Sequence, residues 1–452
     1  MDARVDGFRQ TLDSNKVPAA LYWVASLIAL LLVTDGFGSQ AIGFVAPVIG
    51  KAWMLKKGAL TGVITMGLVG IMIGACAVTP LADKIGARRI LIACGLAYGV
   101  LMCATALATD LTSLLWMRFV TGMALGGAMP AGIALVSEYS PTRLRATMVT
   151  IAVCGFSIGG ALGGFVASMA IKSYGWQSVF LIGGVAPVIL TPLLFAWLPE
   201  SLPLVLAGKA NDRSMSVVAR LAPGWVPGAA GFSEASNPVI AANPVLGLLA
   251  DGLAMPTVLI WILYFMNLMV LYTLSNWLPT IITGAGLSLG TANFATSFYQ
   301  LAGVFGALLI SLFCDKFGSR VILPVIFLGA SASCFLIGSA GVNPTLVVAA
   351  ISAAGFCVVG GQSAANAFVG NYYPSQIRAT GIGWALGVGR LGTILGSYVI
   401  GSLISAGAEA HTLFEICAIP GLFAALAIWL VARGGPLKTA VSVSAETVNV
   451  KA

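Results

Sequence analysis

Charge is what this chain most lacks. Only 8% of its 452 residues are Asp, Glu, Lys or Arg, against 59% hydrophobic, where soluble domains carry about 25% charge. That scarcity excludes an ordinary soluble domain and points to an integral membrane protein. Histidine is nearly absent too: His411 stands alone. None of the eight cysteines forms a CxxC pair, and all sit in or beside apolar stretches, so they read as small buried hydrophobes rather than metal ligands or disulfides. There is no GxxxxGK[ST] loop for a nucleotide and no soluble catalytic or sensory domain, which argues against a membrane enzyme or receptor. Strict alternation of apolar and polar residues is missing as well, which excludes a transmembrane barrel. The net charge of +8 is spread over short loops, so it speaks for membrane topology and not for nucleic acid.

What is present is a series of apolar runs long enough to cross a bilayer, about 20 residues each. Twelve are expected, at 20–50, 58–80, 89–109, 112–138, 145–171, 177–198, 256–283, 289–313, 320–340, 344–370, 378–406 and 411–433. Glycine, at 55 residues, suits the close approach of membrane helices. With both termini in the cytoplasm, 17 of the 23 Lys and Arg fall in cytoplasmic segments. Only Lys51, Lys56, Lys57 and Lys172 fall outside, and Arg118 and Arg390 lie within spans. That bias sets the orientation.

The expected organisation is a cytoplasmic tail over 1–19, with no signal-peptide pattern, and a six-helix bundle over 20–198. An inter-half cytoplasmic linker over 199–255, with a short helix over Ser214–Leu221, leads to a second bundle over 256–433 and a cytoplasmic tail over 434–452. The halves repeat. ADKIGARRILI from Ala82 returns as CDKFGSRVILP from Cys314, 232 residues later, and EYSPTRLRAT from Glu138 as NYYPSQIRAT from Asn371, 233 later. Duplicated six-span halves are the architecture of a transporter built from two rocking bundles, with its site near the midplane.

Two charges lie deep in that architecture. Asp35, about 15 residues or roughly 22 Å into span one, costs about 2.5–3.5 kcal/mol to place at a bilayer centre. Burial favours the neutral acid and a nearby cation favours the charged one. A carboxylate poised between the two can take a proton from one side and release it to the other, so Asp35 is the candidate proton-coupling residue; the bland role is a hydrogen-bond partner between helices. Arg390, about 12 residues into span eleven, needs an anion, which either Asp35 or a substrate carboxylate supplies. Arg118, about six residues into span four, either joins the substrate path or snorkels to the interface. Aromatic and amide side chains within the spans are pocket candidates: Phe37, Tyr264, Asn267, Tyr272, Asn276, Trp277, Phe298, Tyr299, Gln300, Gln362, Asn366 and Trp384. Of these, Trp277, Tyr299, Gln300 and Asn366 are expected in a substrate site with Arg390 and Arg118. His411 reads as a solvated loop residue beside Glu415.

LADKIGARR (81–89), its echo FCDKFGSR (313–320), the glycine-rich RFVTGMALGGAMPAG (118–132) and LPES (198–201) resemble the major facilitator superfamily over almost the whole chain. Thr79 and Ser311 replace the glycine that the family pattern has four residues before the aspartate. TDGFGSQAIGFVAP (34–47), LYTLSNWLPTII (271–282) and GVGRLGTILG (387–396) resemble, within it, the aromatic acid:proton symporters. That family usually carries DG-x-D in span one; here Asp35 matches the first acid and Gly38 replaces the second, so Asp35 would act alone. The resemblance implies an all-α membrane protein of twelve helices in two pseudo-symmetric bundles. It also implies a conformational latch made of Asp83, Gly86, Arg88, Arg89 and Glu138, with Asp315, Gly318 and Arg320 in the second half. The implied activity is not enzymatic: a hydroxybenzoate-like acid enters with protons by alternating access, serving aromatic catabolism. The expected setting is a bacterial inner membrane and the expected form a monomer. No cofactor is expected beyond the proton, and no partner beyond substrate and lipid. A sugar acid or dicarboxylate, or a drug-export role, are the alternatives in the same fold.

Overall fold

The computed structural model describes residues 19–141, 144–206, 215–216, 248–250, 252–373 and 377–433. Both expected tails apart from residue 19, and most of the expected helix over 214–221, lie outside them. The helices are α1 (Ala19–Ala52), α2 (Thr61–Ile85), α3 (Ala87–Thr105), α4 (Leu111–Gly126), α5 (Ala128–Tyr139), α6 (Arg145–Tyr174) and α7 (Gln177–Trp197), then the short α8 (Leu202–Leu206). The second half holds α9 (Ala254–Gly284), α10 (Leu289–Phe317), α11 (Ser319–Ser339), α12 (Pro344–Tyr372), α13 (Arg378–Ser405) and α14 (Ala410–Arg433). Twelve spans are long and apolar enough to cross a membrane, α4 and α5 together forming one of them; the protein is all-α among the described residues. Span four, expected as a single helix over 112–138, breaks at Gly127. Pro130 follows three residues later and lacks the N–H that an unbroken helix would bond back to Gly126.

Local chemistry sets the helix ends. Asp110 and Ser113 form a capping box at the start of α4, and the Ser113 backbone N–H holds the Asp110 carboxyl below its ordinary range. Asn343 caps α12 with Pro344 in the first turn. The two repeated turns are superposable in kind. Gly86 has φ +105° between α2 and α3 and Gly318 has φ +86° between α10 and α11, a region that favours glycine because it lacks a Cβ. Large apolar side chains such as Phe305, Leu312 and Val325 are exposed on the periphery, as a bilayer-facing surface requires.

The bundles meet mainly through α1 against α9, α2 against α13 and α6 against α10. Their closest approaches lie toward the end away from the 199–253 connection, hereafter the far end. A Cβ on Gly43 would come within 2.7 Å of the Asn276 carbonyl oxygen, and one on Gly164 within 2.5 Å of the Asn293 carbonyl oxygen. Gly401 packs on Thr61 and Gly58 on Ser405. Among the described residues the cross-bundle hydrogen bonds are Gln300 Nε2 to Gln40 Oε1 (2.8 Å) and Ser297 Oγ to the Ala161 carbonyl (2.7 Å). None is nearer the connection than Gln40, so the bundles are fastened at the far end.

Candidate functional site

Asp35 sits midway along α1 and is buried. One turn on, Ser39 Oγ donates to its Oδ1 at 3.2 Å. Among the described residues no basic side chain comes within ion-pair distance of it. Arg390 lies on α13 of the opposite bundle.

Two neighbours hold this stretch of α1. Tyr98, from α3, donates its hydroxyl to the Thr34 carbonyl at 2.9 Å. A Cβ on Gly38 would overlap that hydroxyl and stand 2.6 Å from the ring Cζ, so the glycine at this position makes room for Tyr98. Arg118, from α4, donates through both terminal nitrogens to the Gly38 carbonyl at 3.3 Å. Only 3% of Arg118 is exposed and its Nε has no partner. It therefore does not snorkel, and it lies level with Gly38, one turn from Asp35 and deeper than its place in span four suggests.

Across the junction, Gly392 lets α13 lie against the Phe265 backbone of α9. Arg390 Nη1 then donates to Tyr272 Oη at 3.0 Å, with the guanidinium 5.6 Å from the ring centroid. Arg390 is half-buried, so its other donors remain available to an anion. Beside it runs an amide network. Tyr264 Oη donates to Asn366 Oδ1 at 2.7 Å and Gln362 Nε2 donates to the same oxygen at 3.0 Å. Asn267 Nδ2 donates to Gln362 Oε1 at 2.8 Å. Asn366 is half-buried and has its amide nitrogen left to offer.

The remaining expected pocket residues separate. Gln300 bridges the bundles, donating to Gln40 and, at 3.1 Å, to Ser275 Oγ. Trp277 lies at the far end beside a cavity, its Nε1 buried without a partner. Tyr299 is fully buried beside Cys334 and Cys417, inside its own bundle, with its hydroxyl unpartnered. The structure does not bring Tyr299 to the site, because neighbours on a helix point about 100° apart and Gln300 takes the inward direction. Tyr98, Ser39 and Gln40 were not singled out in the sequence. Their signal was polar groups in apolar runs, a turn or so from Asp35 or packed against it.

The expected latch is asymmetric. Glu200, from the LPES segment and absent from the expected set, sits at its centre in the first half. Its Oε1 accepts from the backbone N–H of Arg88 at 3.2 Å and of Ser201 at 3.0 Å, and Arg89 Nε lies 3.9 Å from Oε2. Arg88 Nη2 donates to the Phe195 carbonyl at 2.7 Å, and Glu138 Oε2 accepts from Leu202 N at 2.8 Å. The Asp83 side chain lies outside the described residues. In the second half Asp315, Gly318 and Arg320 are exposed. These contacts tie the Gly86 turn to the start of α8, within one bundle. Among the described residues no group of three or more His, Cys, Asp and Glu side chains could hold a metal.

Two helical bundles fastened at one end, with a buried acid in one and a half-buried arginine in the other, have the architecture of a membrane transporter. The Major Facilitator Superfamily family model matches residues 28–290 and 260–451, and the chain belongs to that superfamily; it is a transporter and not an enzyme. It is 35% identical to the 4-hydroxybenzoate transporter PcaK of Pseudomonas putida, over 92% of this chain and 93% of that one. It is 34% identical to the gallate transporter of Pseudomonas putida, over 95% of each. Among solved structures, the inward open xylose transporter XylE from E. coli superposes with a TM-score of 0.71 at 14% identity, covering 92% of this chain and 98% of that one.

Proposed function

We propose that this transporter imports a small, hydroxybenzoate-like aromatic carboxylate together with protons, by alternating access across a bacterial inner membrane, as a monomer with both termini cytoplasmic. It uses no cofactor beyond the coupling proton. The observation that carries this is one charge within each bundle: Asp35 buried without an ion-pair partner in one, and Arg390 braced by Tyr272 in the other. A buried charge without a partner is costly and is relieved by taking up a proton; a braced guanidinium is a bidentate receptor for a carboxylate. Substrate on Arg390 and proton on Asp35 then neutralise the two bundles together. The bundles can rock past each other only when that junction no longer carries unscreened charge. The relatives named for hydroxybenzoate and gallate supply the aromatic class. With the orientation that the basic loops predict, the far end is the outer one, and the conformation described is inward-facing.

The test is uptake of labelled 4-hydroxybenzoate into liposomes under an inward proton gradient, with benzoate, protocatechuate, gluconate and succinate as competitors. Gradient-driven accumulation that only the aromatic acids block is expected. Competition by gluconate or succinate instead would assign a sugar acid or a dicarboxylate.

A further inference from the structure

Beyond the junction, on the other side of the seal formed by Gly43, Asn276 and Gln300, a cavity of about 690 Å³ opens at the far end. Both bundles line it. From the first come the end of α1 and the loop to α2, with Lys51, Lys56 and Lys57, all exposed. From the second come the end of α9 and the start of α14, including Trp277, Ile281 and Phe414. The lysines are three of the four basic residues expected outside the membrane, concentrated in one place. Their only acidic companion in the lining is Glu409, already 3.2 Å from His411 Nδ1. The cavity therefore has a cationic rim and an apolar lining.

We infer that this cavity is a second, outer binding site for the transported acid: its carboxylate meets the Lys56 and Lys57 ammoniums at the rim and its ring lies against the apolar lining. The inference rests on the aromatic-acid assignment above. Apolar lining and cationic rim match the ring and the carboxylate of an aromatic acid. The site is built across the bundle interface, so parting of the bundles at the far end opens it toward Arg390. It collects substrate while the central site faces the other way.

Equilibrium dialysis of labelled 4-hydroxybenzoate against the purified full chain in detergent, with empty micelles subtracted, decides the matter. Wild type is expected to hold two equivalents, one tight and one weaker. Lys51→Gln/Lys56→Gln/Lys57→Gln, on exposed positions that leave the core untouched, should keep only the tight equivalent; Arg390→Ala should keep only the weak one. A single equivalent in wild type, abolished by Arg390→Ala and indifferent to the lysines, would overturn the outer site alone. No binding by wild type at all would overturn the aromatic-acid assignment and the outer site with it.

Discussion

Restoring the acid that the symporter pattern places at position 38 should damage this protein. The Gly38→Asp side chain begins with a Cβ that overlaps the Tyr98 hydroxyl and lies 2.6 Å from Cζ and 2.8 Å from Cε2. The ring cannot simply pivot, since Tyr98 is 2% exposed. Its hydroxyl would also lose the 2.9 Å bond to the Thr34 carbonyl. Overpacking costs about 1–3 kcal/mol and a buried hydrogen bond lost without replacement about 1–3 kcal/mol, so about 2–6 kcal/mol is expected. The assay is thermal unfolding of purified protein in detergent, run as a double-mutant cycle with Tyr98→Ala. Because both substitutions act on one volume, the double variant should be less destabilised than the sum by at least about 1 kcal/mol. Strict additivity, or a Gly38→Asp protein that melts with wild type, would refute the reasoning that Gly38 and Tyr98 share this space.

Three further outcomes follow from the geometry. Arg390→Lys should keep the charge but lose the planar fork, raising the KM for a carboxylate substrate about 10-fold or more (about 1.5–3 kcal/mol for a charged hydrogen bond); Tyr272→Phe, which removes only the brace at 3.0 Å, should do the same more mildly in the uptake assay. Gln300→Leu should break the far-end bond to Gln40 and increase labelling of a cysteine introduced at Ser405 by an impermeant thiol reagent applied from outside, and Gln40→Leu should match it without adding to it. Tyr299→Phe removes an unpartnered buried hydroxyl, so it should leave uptake unchanged and raise the melting temperature slightly; a raised KM would return Tyr299 to the substrate site.

The spans were legible because lipid demands long apolar runs that satisfy their own backbone, and the Gly86 and Gly318 turns because a positive φ leaves a glycine in the sequence. Asp35 and Arg390 were legible for the opposite reason: each is conspicuous in an apolar run. Direction around a helix was not legible. These helices are apolar on all sides, so nothing in the pattern distinguished Tyr299, turned into its own bundle, from Gln300, which crosses to the other. Depth relative to neighbouring helices was hidden too. Arg118 counts as six residues into its span, yet it meets the Gly38 carbonyl because α4 packs beside α1 at that level. Glu200 was overlooked because a carboxylate just past a span reads as solvated, whereas α8 folds back and buries it.

The most direct test of proton coupling through Asp35 is the pH inside liposomes, reported by a trapped dye, when 4-hydroxybenzoate is added outside with no gradient imposed. Wild type should acidify the lumen faster than protein-free liposomes, and Asp35→Asn should still exchange labelled for unlabelled substrate while adding no acidification of its own. Substrate entry through wild type without acidification beyond the protein-free rate, or acidification undiminished in Asp35→Asn, would contradict the account.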